Sequence, residues 1–211
     1  MKVVENAKDP EIANIITHPT AFYQPSDNTG FFHLCRRGGL LQLSERGLHS
    51  LNTIYTIGHS NHTFYRFHSL LADFGIEALC DVRARPASRF VPWSNKKSLE
   101  SRLFDAGIRY SYLGDRLGGI TGKQPPKRPL RKEDFQGWAE STDFRAGLAE
   151  LLKIAREYRT AVMCAEQDPS RCHRRLLITP ELVRNGLQVV HILKDGSKAD
   201  ESKMEEENLF S

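Results

Sequence analysis

The sequence predicts an α/β fold. Three observations carry that prediction. There are five short apolar runs of strand length, the stretches between them space their apolar residues helically, and a glycine stands where three of the helical units should stop, at Gly75, Gly107 and Gly186. Strands alternating with helices build a parallel sheet with right-handed crossovers. The expected architecture is therefore a single three-layer domain, a mostly parallel sheet of five strands or slightly more, flanked by helices.

Taken in order, Met1–Leu51 is poorly patterned and is interrupted by Pro19, Pro25, Gly30 and the RRGG run at Arg36–Gly39. It reads as an arm or extension, with a turn or so of helix at Glu11–Ile16 and a short apolar piece at Leu40–Leu43. The α/β domain spans residues 52–193, and its first strand is TIYTIG, Thr53–Gly58. A helix from about Thr63 to Phe74 follows, with Phe64, Phe67, Leu70, Leu71 and Phe74 on one face. Ile76–Val82 is the second strand, apolar on both faces as in a covered parallel sheet. A basic loop leads to a helix near Lys97–Ala106, and Ile108–Leu113 is the third strand. Gly114–Glu133 reads as a long loop rich in Gly, Pro, Lys and Arg, and loops of that length are usually functional or disordered. The helix Asp143–Tyr158 turns Phe144, Leu148, Leu151, Leu152 and Ala155 inward. The fourth strand is Thr160–Ala165. A helix opens at Cys172, and Thr179-Pro180 either kinks it or caps a second piece. Leu187–Leu193 is the fifth strand. The tail, residues 194–211, is polar and acidic and reads as disordered or as a fraying helix.

Composition sets outer bounds. At 211 residues, one domain with a single good core is expected. Hydrophobic content of 39% with 27% charged residues fits a soluble globular protein. No run approaches the ~20 apolar residues of a membrane span, and the N-terminus lacks the apolar core of a secretory signal, so a cytoplasmic protein is expected. Four cysteines, Cys35, Cys80, Cys164 and Cys172, do not make a disulfide framework in a chain this long. In a reducing compartment they are thiols. The net charge of +4 is unevenly placed: Arg83–Lys132 holds thirteen Lys or Arg against three acids, a net +10 that leaves −6 elsewhere. A basic stretch on an acidic body suggests an anionic partner, a phosphorylated small molecule or a nucleic acid. A solvated basic face is the alternative.

The polar residues of interest fall just beyond the strands' carboxyl ends, where α/β folds bind ligands. His59, Ser60 and Asn61 follow the first strand, and Asp81, Arg83 and Arg85 the second. Tyr112 and Gly114 close the third, Cys164 and Glu166 the fourth, and His191 lies late in the fifth. The densest stretch is Thr160–Arg175, TAVMCAEQDPSRCHRR, with two thiols, two carboxylates, an imidazole and three guanidiniums at a strand-to-helix junction.

These pieces also carry a resemblance. TIGHS at Thr56–Ser60, CDVRARPASR at Cys80–Arg89, the Leu117-Gly118-Gly119 loop, MCAEQDPSRCHR at Met163–Arg174 and VVHI at Val189–Ile192 resemble the domain of unknown function 488 family over about Thr53–Leu193. The resemblance implies a compact α/β domain and a shared site, with no established reaction. The positions it matches include His59, Ser60, Asp81, Arg83, Pro86, Ser88, Arg89, Gly118, Gly119, Cys164, Glu166, Cys172, His173, Arg174 and His191.

Read residue by residue, Cys172 at a helix start, beside Arg171, Arg174 and Arg175, should have a lowered thiol pKa and act as nucleophile. Its alternative role is structural packing, the role assigned to Cys164 in its apolar strand. Glu166 is a general acid or base or a substrate orienter, or else an ion-pair partner for Arg171 or Arg174. Adjacent helical residues point about 100° apart, so Cys172 and His173 make a poor dyad, and His59 or His191 is the better partner for Cys172. His191 is equally a satisfied core histidine. Asp81 and Arg83 share a strand face, so Asp81 clamps Arg83 or caps the loop. Arg83, Arg85, Arg89 and Arg174 are anion donors, Ser60 and His173 line the site, and Gly118-Gly119 lets backbone approach an anion. Trp93, Phe90 and Tyr112 offer stacking surfaces or ordinary packing.

No Cys-x-x-Cys or His-Glu-x-x-His spacing occurs, and Cys-x₇-Cys-His is not a standard zinc pattern, so no metal and no cofactor is expected. The Cys-x₅-Arg anion loop of sulfur transferases and cysteine phosphatases is absent: six residues separate Cys164 from Arg171, and Ile178 stands where Cys172 would need an arginine. There is also no P-loop and no dinucleotide G-x-G-x-x-G. The expectation is an enzyme acting on a nucleotide, nucleoside or nucleic-acid base, with Cys172, Glu166 and His59 catalytic. A non-catalytic nucleic-acid-binding module using residues 83–132 is the second expectation.

Overall fold

The computed structural model describes residues 52–119, 131–135 and 137–204; the expected arm over Met1–Leu51 and most of the long basic loop lie outside them. Apolar runs become strands where expected: β1 (Thr53–Gly58), β2 (Ala78–Asp81), β3 (Arg109–Tyr112), β4 (Thr160–Cys164) and β5 (Gln188–Ile192). The amphipathic stretches become α1 (Phe64–Asp73), α2 (Lys96–Asp105) and α4 (Thr142–Glu157), with one helical turn, α3 (Gly114–Leu117), after β3. Thr63 and Ser141 cap α1 and α4, their hydroxyls accepting from the amides of Arg66 and Phe144 at 3.2 Å. Gly75 and Gly107 follow α1 and α2 with φ of 61° and 72°, the left-handed conformation glycine adopts without strain.

With a sixth strand, β6 (Lys198–Asp200), the sheet order is β3-β2-β4-β1-β5-β6, and the first five strands are parallel. Alternation sorts the core into two layers. Tyr55, Ile57, Leu79, Ala161, Met163 and Val190 pack with α1 and α2 on one face. Ile54, Ala78, Cys80, Val82, Val162 and Cys164 pack with α4 and the segment after β4 on the other. This is the expected three-layer α/β domain. β4 lies between β1 and β2, and its connection leaves on the face opposite to theirs. Its carboxyl end is thus flanked by switch points on both sides, the place where open α/β sheets form sites.

Two stretches differ from expectation. The first is the junction after β4. Instead of one helix from Cys172, a 3₁₀ turn (Pro169–Arg171) and an extended Cys172 precede a π turn (Arg174–Ile178), which runs into α5 (Thr179–Arg184). The π turn has a local cause: Pro180 has no amide hydrogen, and its ring would crowd the Leu176 carbonyl in a regular helix. The Thr179 amide instead reaches Arg174 O, and its hydroxyl donates to the same oxygen at 2.9 Å.

The second is the tail. Lys198–Asp200 forms β6, antiparallel to β5, and residues 201–204 are helical. The polar sequence hides this because one buried contact secures it. Glu201 accepts from Arg175 Nε at 2.8 Å, and its Oε2 lies 2.6 Å from His191 Nε2. His191 Nδ1 lies 2.7 Å from Thr56 Oγ1. His191 is therefore the satisfied core histidine of the two roles open to it.

Burial opposes the Glu201 carboxylate, but the bonds from His191 and Arg175 outweigh it and hold its pKa below the ordinary 4.5. A depressed carboxylate contributes stability above its unfolded pKa and loses it as pH falls through the folded value. Glu201→Ala should therefore cost about 2–3 kcal/mol in urea unfolding at neutral pH by stranding its buried partners. The difference from wild type should narrow as pH falls below 4.5.

Candidate functional site

The path from β4 to α5 decides what meets at the rim. Glu166 caps its own turn, Oε1 accepting from the amides of Gln167 at 2.8 Å and Asp168 at 3.3 Å. Asp168 caps the next turn, accepting from Ser170 N at 2.9 Å. Arg174 then reaches back. Its Nη1 donates to Glu166 O, Nη2 to Gln167 O at 2.6 Å, and Nε to Thr56 Oγ1 at 3.3 Å. Gly58 makes room for this fold-back: a Cβ there would lie 2.2 Å from Glu166 O.

The fold-back brings Cys172 and His173 onto the end of β4. His173 Nδ1 lies 3.6 Å from Cys164 Sγ and 3.8 Å from Cys172 Sγ. His173 Nε2 lies 3.0 Å from Val82 O. A carbonyl only accepts, so Nε2 carries a proton and Nδ1 is the nitrogen presented to the sulfurs. All three residues are buried, with relative exposures of 7%, 2% and 9% for Cys164, Cys172 and His173. Among the described residues these form a group of potential metal ligands, with donor atoms within 4.8 Å of one another.

The electrostatics reverse the roles read from sequence. Burial and the bond to Cys164 push the Cys172 thiol up, not down. Cys164 is held well below the ordinary thiol range, chiefly by the hydrogen bond from Cys172, with burial opposing and His173 assisting. Burial disfavours charge on His173, but the Cys164 charge, its hydrogen bond and the Val82 carbonyl prevail and raise its pKa. Cys172 and His173 also share a partner, against expectation. Cys172 is extended, with φ −120° and ψ 139°, so the helical separation of adjacent side chains does not apply.

A second network occupies the opposite face of the sheet. Arg83 donates Nε to Asp81 Oδ1 at 2.9 Å and Nη2 to Asp81 Oδ2 at 2.6 Å, Nη2 also to Ser94 O at 2.7 Å, and Nη1 to Ser94 Oγ at 3.3 Å. Its Nη1 is 3.1 Å from His59 Nε2, while His59 Nδ1 lies 2.9 Å from Ser60 O. Arginine only donates, so His59 accepts at Nε2 and donates from Nδ1. Burial, then the Arg83 charge, lower its pKa and keep it neutral.

A family model described as Domain of unknown function DUF488 matches residues 63–179, more than half of the chain. The chain belongs to this DUF488 family. Comparison with curated proteins gives no match, and neither does comparison with solved structures.

Within this DUF488 chain the expected site residues separate into three groups. Cys164, Cys172 and His173 converge. Asp81 clamps Arg83, whose donors are all engaged within the fold, and His59 has both nitrogens engaged and lies on the sheet face opposite to Cys172. Arg174 is fully buried with three internal acceptors, through which it shapes the turn. Gly118 and Gly119 allow close packing, since a Cβ would meet the Ala84 backbone at 2.7 Å or the His173 Cβ at 3.4 Å. Ser60 sits at a positive φ of 46° and donates to Gln167 Oε1 at 2.9 Å. Glu166, Arg85 and Arg89 are exposed.

Thr56, Ser94 and Glu201 escaped the sequence reading. A threonine in an apolar strand, a serine in a loop and a glutamate in a polar tail carry no spacing signal. An open cleft of about 640 Å³ lies at the same rim between the exits of β4 and β5, lined by Gln167, Asp168, Pro169, Leu193, Lys194 and Asp195.

Two outcomes test this geometry. Asp81→Asn leaves the Arg83 charge buried and unpaired, and should cost about 3–5 kcal/mol in urea unfolding. Cys172→Ala should raise the Cys164 pKa, because it deletes the largest cause of the depression; the pH dependence of alkylation at Cys164 reads this directly. An unmoved curve would show the two sulfurs to be uncoupled.

Proposed function

We propose that the protein is an enzyme acting on a nucleotide, nucleoside or nucleic-acid base, with Cys164, His173 and Cys172 as its reactive centre. The observation that carries the reading is the convergence of two sulfurs on one imidazole nitrogen, at 3.6 and 3.8 Å, at the carboxyl end of β4. Buried thiols without a role need no such partner. Cys164 supplies a thiolate for attack on an electrophilic substrate carbon or phosphorus. His173, charged beside it, returns a proton to the leaving group, and Cys172 steadies the thiolate by donating its S–H.

The surroundings favour an anionic substrate carrying a base. Arg85 and Arg89 are exposed on the loop after β2, and Lys96 lies 4.0 Å over the Tyr112 ring. Arg89 lies 4.6 Å over Phe90, whose ring is 81% exposed, an arrangement suited to stacking a base beside a phosphate. Glu166 keeps a carboxylate at the same rim. A reducing, cytoplasmic setting belongs to the proposal, because the chemistry needs free thiols; among the described residues no helix is long and apolar enough to cross a membrane. Non-catalytic binding of nucleic acid through the exposed cations is the second reading.

Turnover is sought by incubating the protein with nucleotides, nucleosides and oligonucleotides and reading products by mass spectrometry. Cys164→Ala and His173→Gln should each lower kcat by about 100-fold or more. Cys80→Ala should not, since burial pushes that thiol up to about 12. Cys164 of the folded, chelator-treated protein that resists small alkylating reagents at every pH would exclude the enzyme. The second reading predicts oligonucleotide affinity that falls steeply with salt and is indifferent to Cys164→Ala.

A further inference from the structure

We propose that Cys164, Cys172 and His173 form a binding site for one divalent, thiolate-preferring metal ion of the zinc type. The geometry is the first argument. Bonds of about 2.3 Å to sulfur and about 2.0–2.1 Å to nitrogen set sulfur–nitrogen separations near 3.5 Å around a tetrahedral ion. The observed separations are 3.6 and 3.8 Å, and all donor atoms lie within 4.8 Å. Both sulfur–nitrogen separations are close to those of two edges of a tetrahedral site, and three protein donors leave a fourth position of such a site to another ligand.

The orientation of His173 is the second argument. Ligating histidines donate their remaining N–H to a carbonyl or carboxylate, which fixes the ring and leaves a lone pair facing the ion. His173 does this through Nε2 and Val82 O at 3.0 Å. Gly119 packs closely here, since a Cβ at that position would lie 3.3 Å from the Phe135 ring and 3.4 Å from His173 Cβ. The donor set is the third. Two sulfurs and an imidazole select zinc-like or softer ions over magnesium or calcium, which take oxygen. The sequence spacing conceals the site because Cys172 and His173 reach Cys164 only through the fold-back imposed by Arg174.

This proposal shares its residues with the proposed reactive centre and names a second chemical state of it. In the loaded protein both sulfurs are ligands and cease to be nucleophiles. Loading replaces protons by the ion: the thiol proton of Cys172 and the proton shared by Cys164 and His173 are both released, while Nε2–H stays on Val82 O.

The full-length protein, stripped with a chelator, is titrated with Zn²⁺ against a chromophoric chelator and with Co²⁺ as a spectroscopic probe. The expected result is one ion and two released protons per chain, with a thiolate-to-cobalt charge-transfer band and the intense visible bands of a tetrahedral site. Cys164→Ser and Cys172→Ser, which keep side-chain size, should each weaken binding at least about 100-fold, beyond what loss of an outer partner costs. Cys80→Ala should leave it unchanged. Wild-type binding no stronger than that of the Cys164→Ser/Cys172→Ser double variant, or a cobalt spectrum without sulfur charge transfer, overturns the site. The readout is binding, so the two proposals fail separately. Absent metal with an intact low-pH alkylation of Cys164 removes the metal site alone, and stoichiometric metal without any turnover removes the enzyme alone.

Discussion

The buried guanidinium of Arg174 is the interaction on which the site depends. It has no exposed surface, and a buried charge is tolerated only when its donors are met. Its acceptors are two consecutive carbonyls, of Glu166 and Gln167, and the Thr56 hydroxyl. Satisfying them forces the chain after β4 to double back, and Cys172 and His173 land on Cys164. From Thr56 the network continues through His191 and Glu201 to Arg175, the next residue along the chain from Arg174. The hydrogen bonds thus form a ring through β1, β5 and the segment after β6. The polar tail is consequently part of what holds the junction in place.

Strand alternation keeps this ring apart from the second polar network. Asp81 and His59 point to the face covered by α1 and α2, whereas Cys164 and Thr56 point to the face covered by α4 and α5. Backbone crosses between them, since Val82, next to Asp81, gives its carbonyl to His173, and the Cys164 charge acts on His59 and Arg83 through space. The Arg83 clamp therefore fixes the residue whose carbonyl sets the protonation of the imidazole.

Much of the fold was legible because strands and helices repeat a pattern over many residues. Phe67, Leu70 and Leu71 announce α1, and the run Thr160–Cys164 announces a strand buried on both faces. The site was legible only in part, because its decisive features are single events. Charge is written in the sequence but burial is not, so Arg83 and Arg174 read as anion donors when their donors are consumed internally. One extended residue at Cys172 separates a poor dyad from a convergent cluster. Lys198–Asp200 is too short and polar to read as a strand, and Glu201 is buried by partners distant in sequence. The family match over 63–179 covers the sulfurs but stops short of β1 and β5, which supply Thr56 and His191 to the supporting ring.

Charge balance explains why one cluster suits both a thiolate and a metal ion. Cys164 is pulled down while Cys172 is pushed up and His173 is raised, shifts that favour one negative sulfur, one neutral sulfur and one positive imidazole in the metal-free cluster. The sum is zero, as burial demands. Burial first, and then the neighbouring Cys164, oppose a second thiolate at Cys172. A divalent cation restores the balance: two thiolates and a neutral imidazole around the ion again sum to zero. Each state is compatible with the same buried cluster, and the exchange of two protons for one ion passes between them. The depressed thiol of Cys164 and the resistant thiol of Cys172 are then two aspects of one requirement, neutrality within a buried cluster.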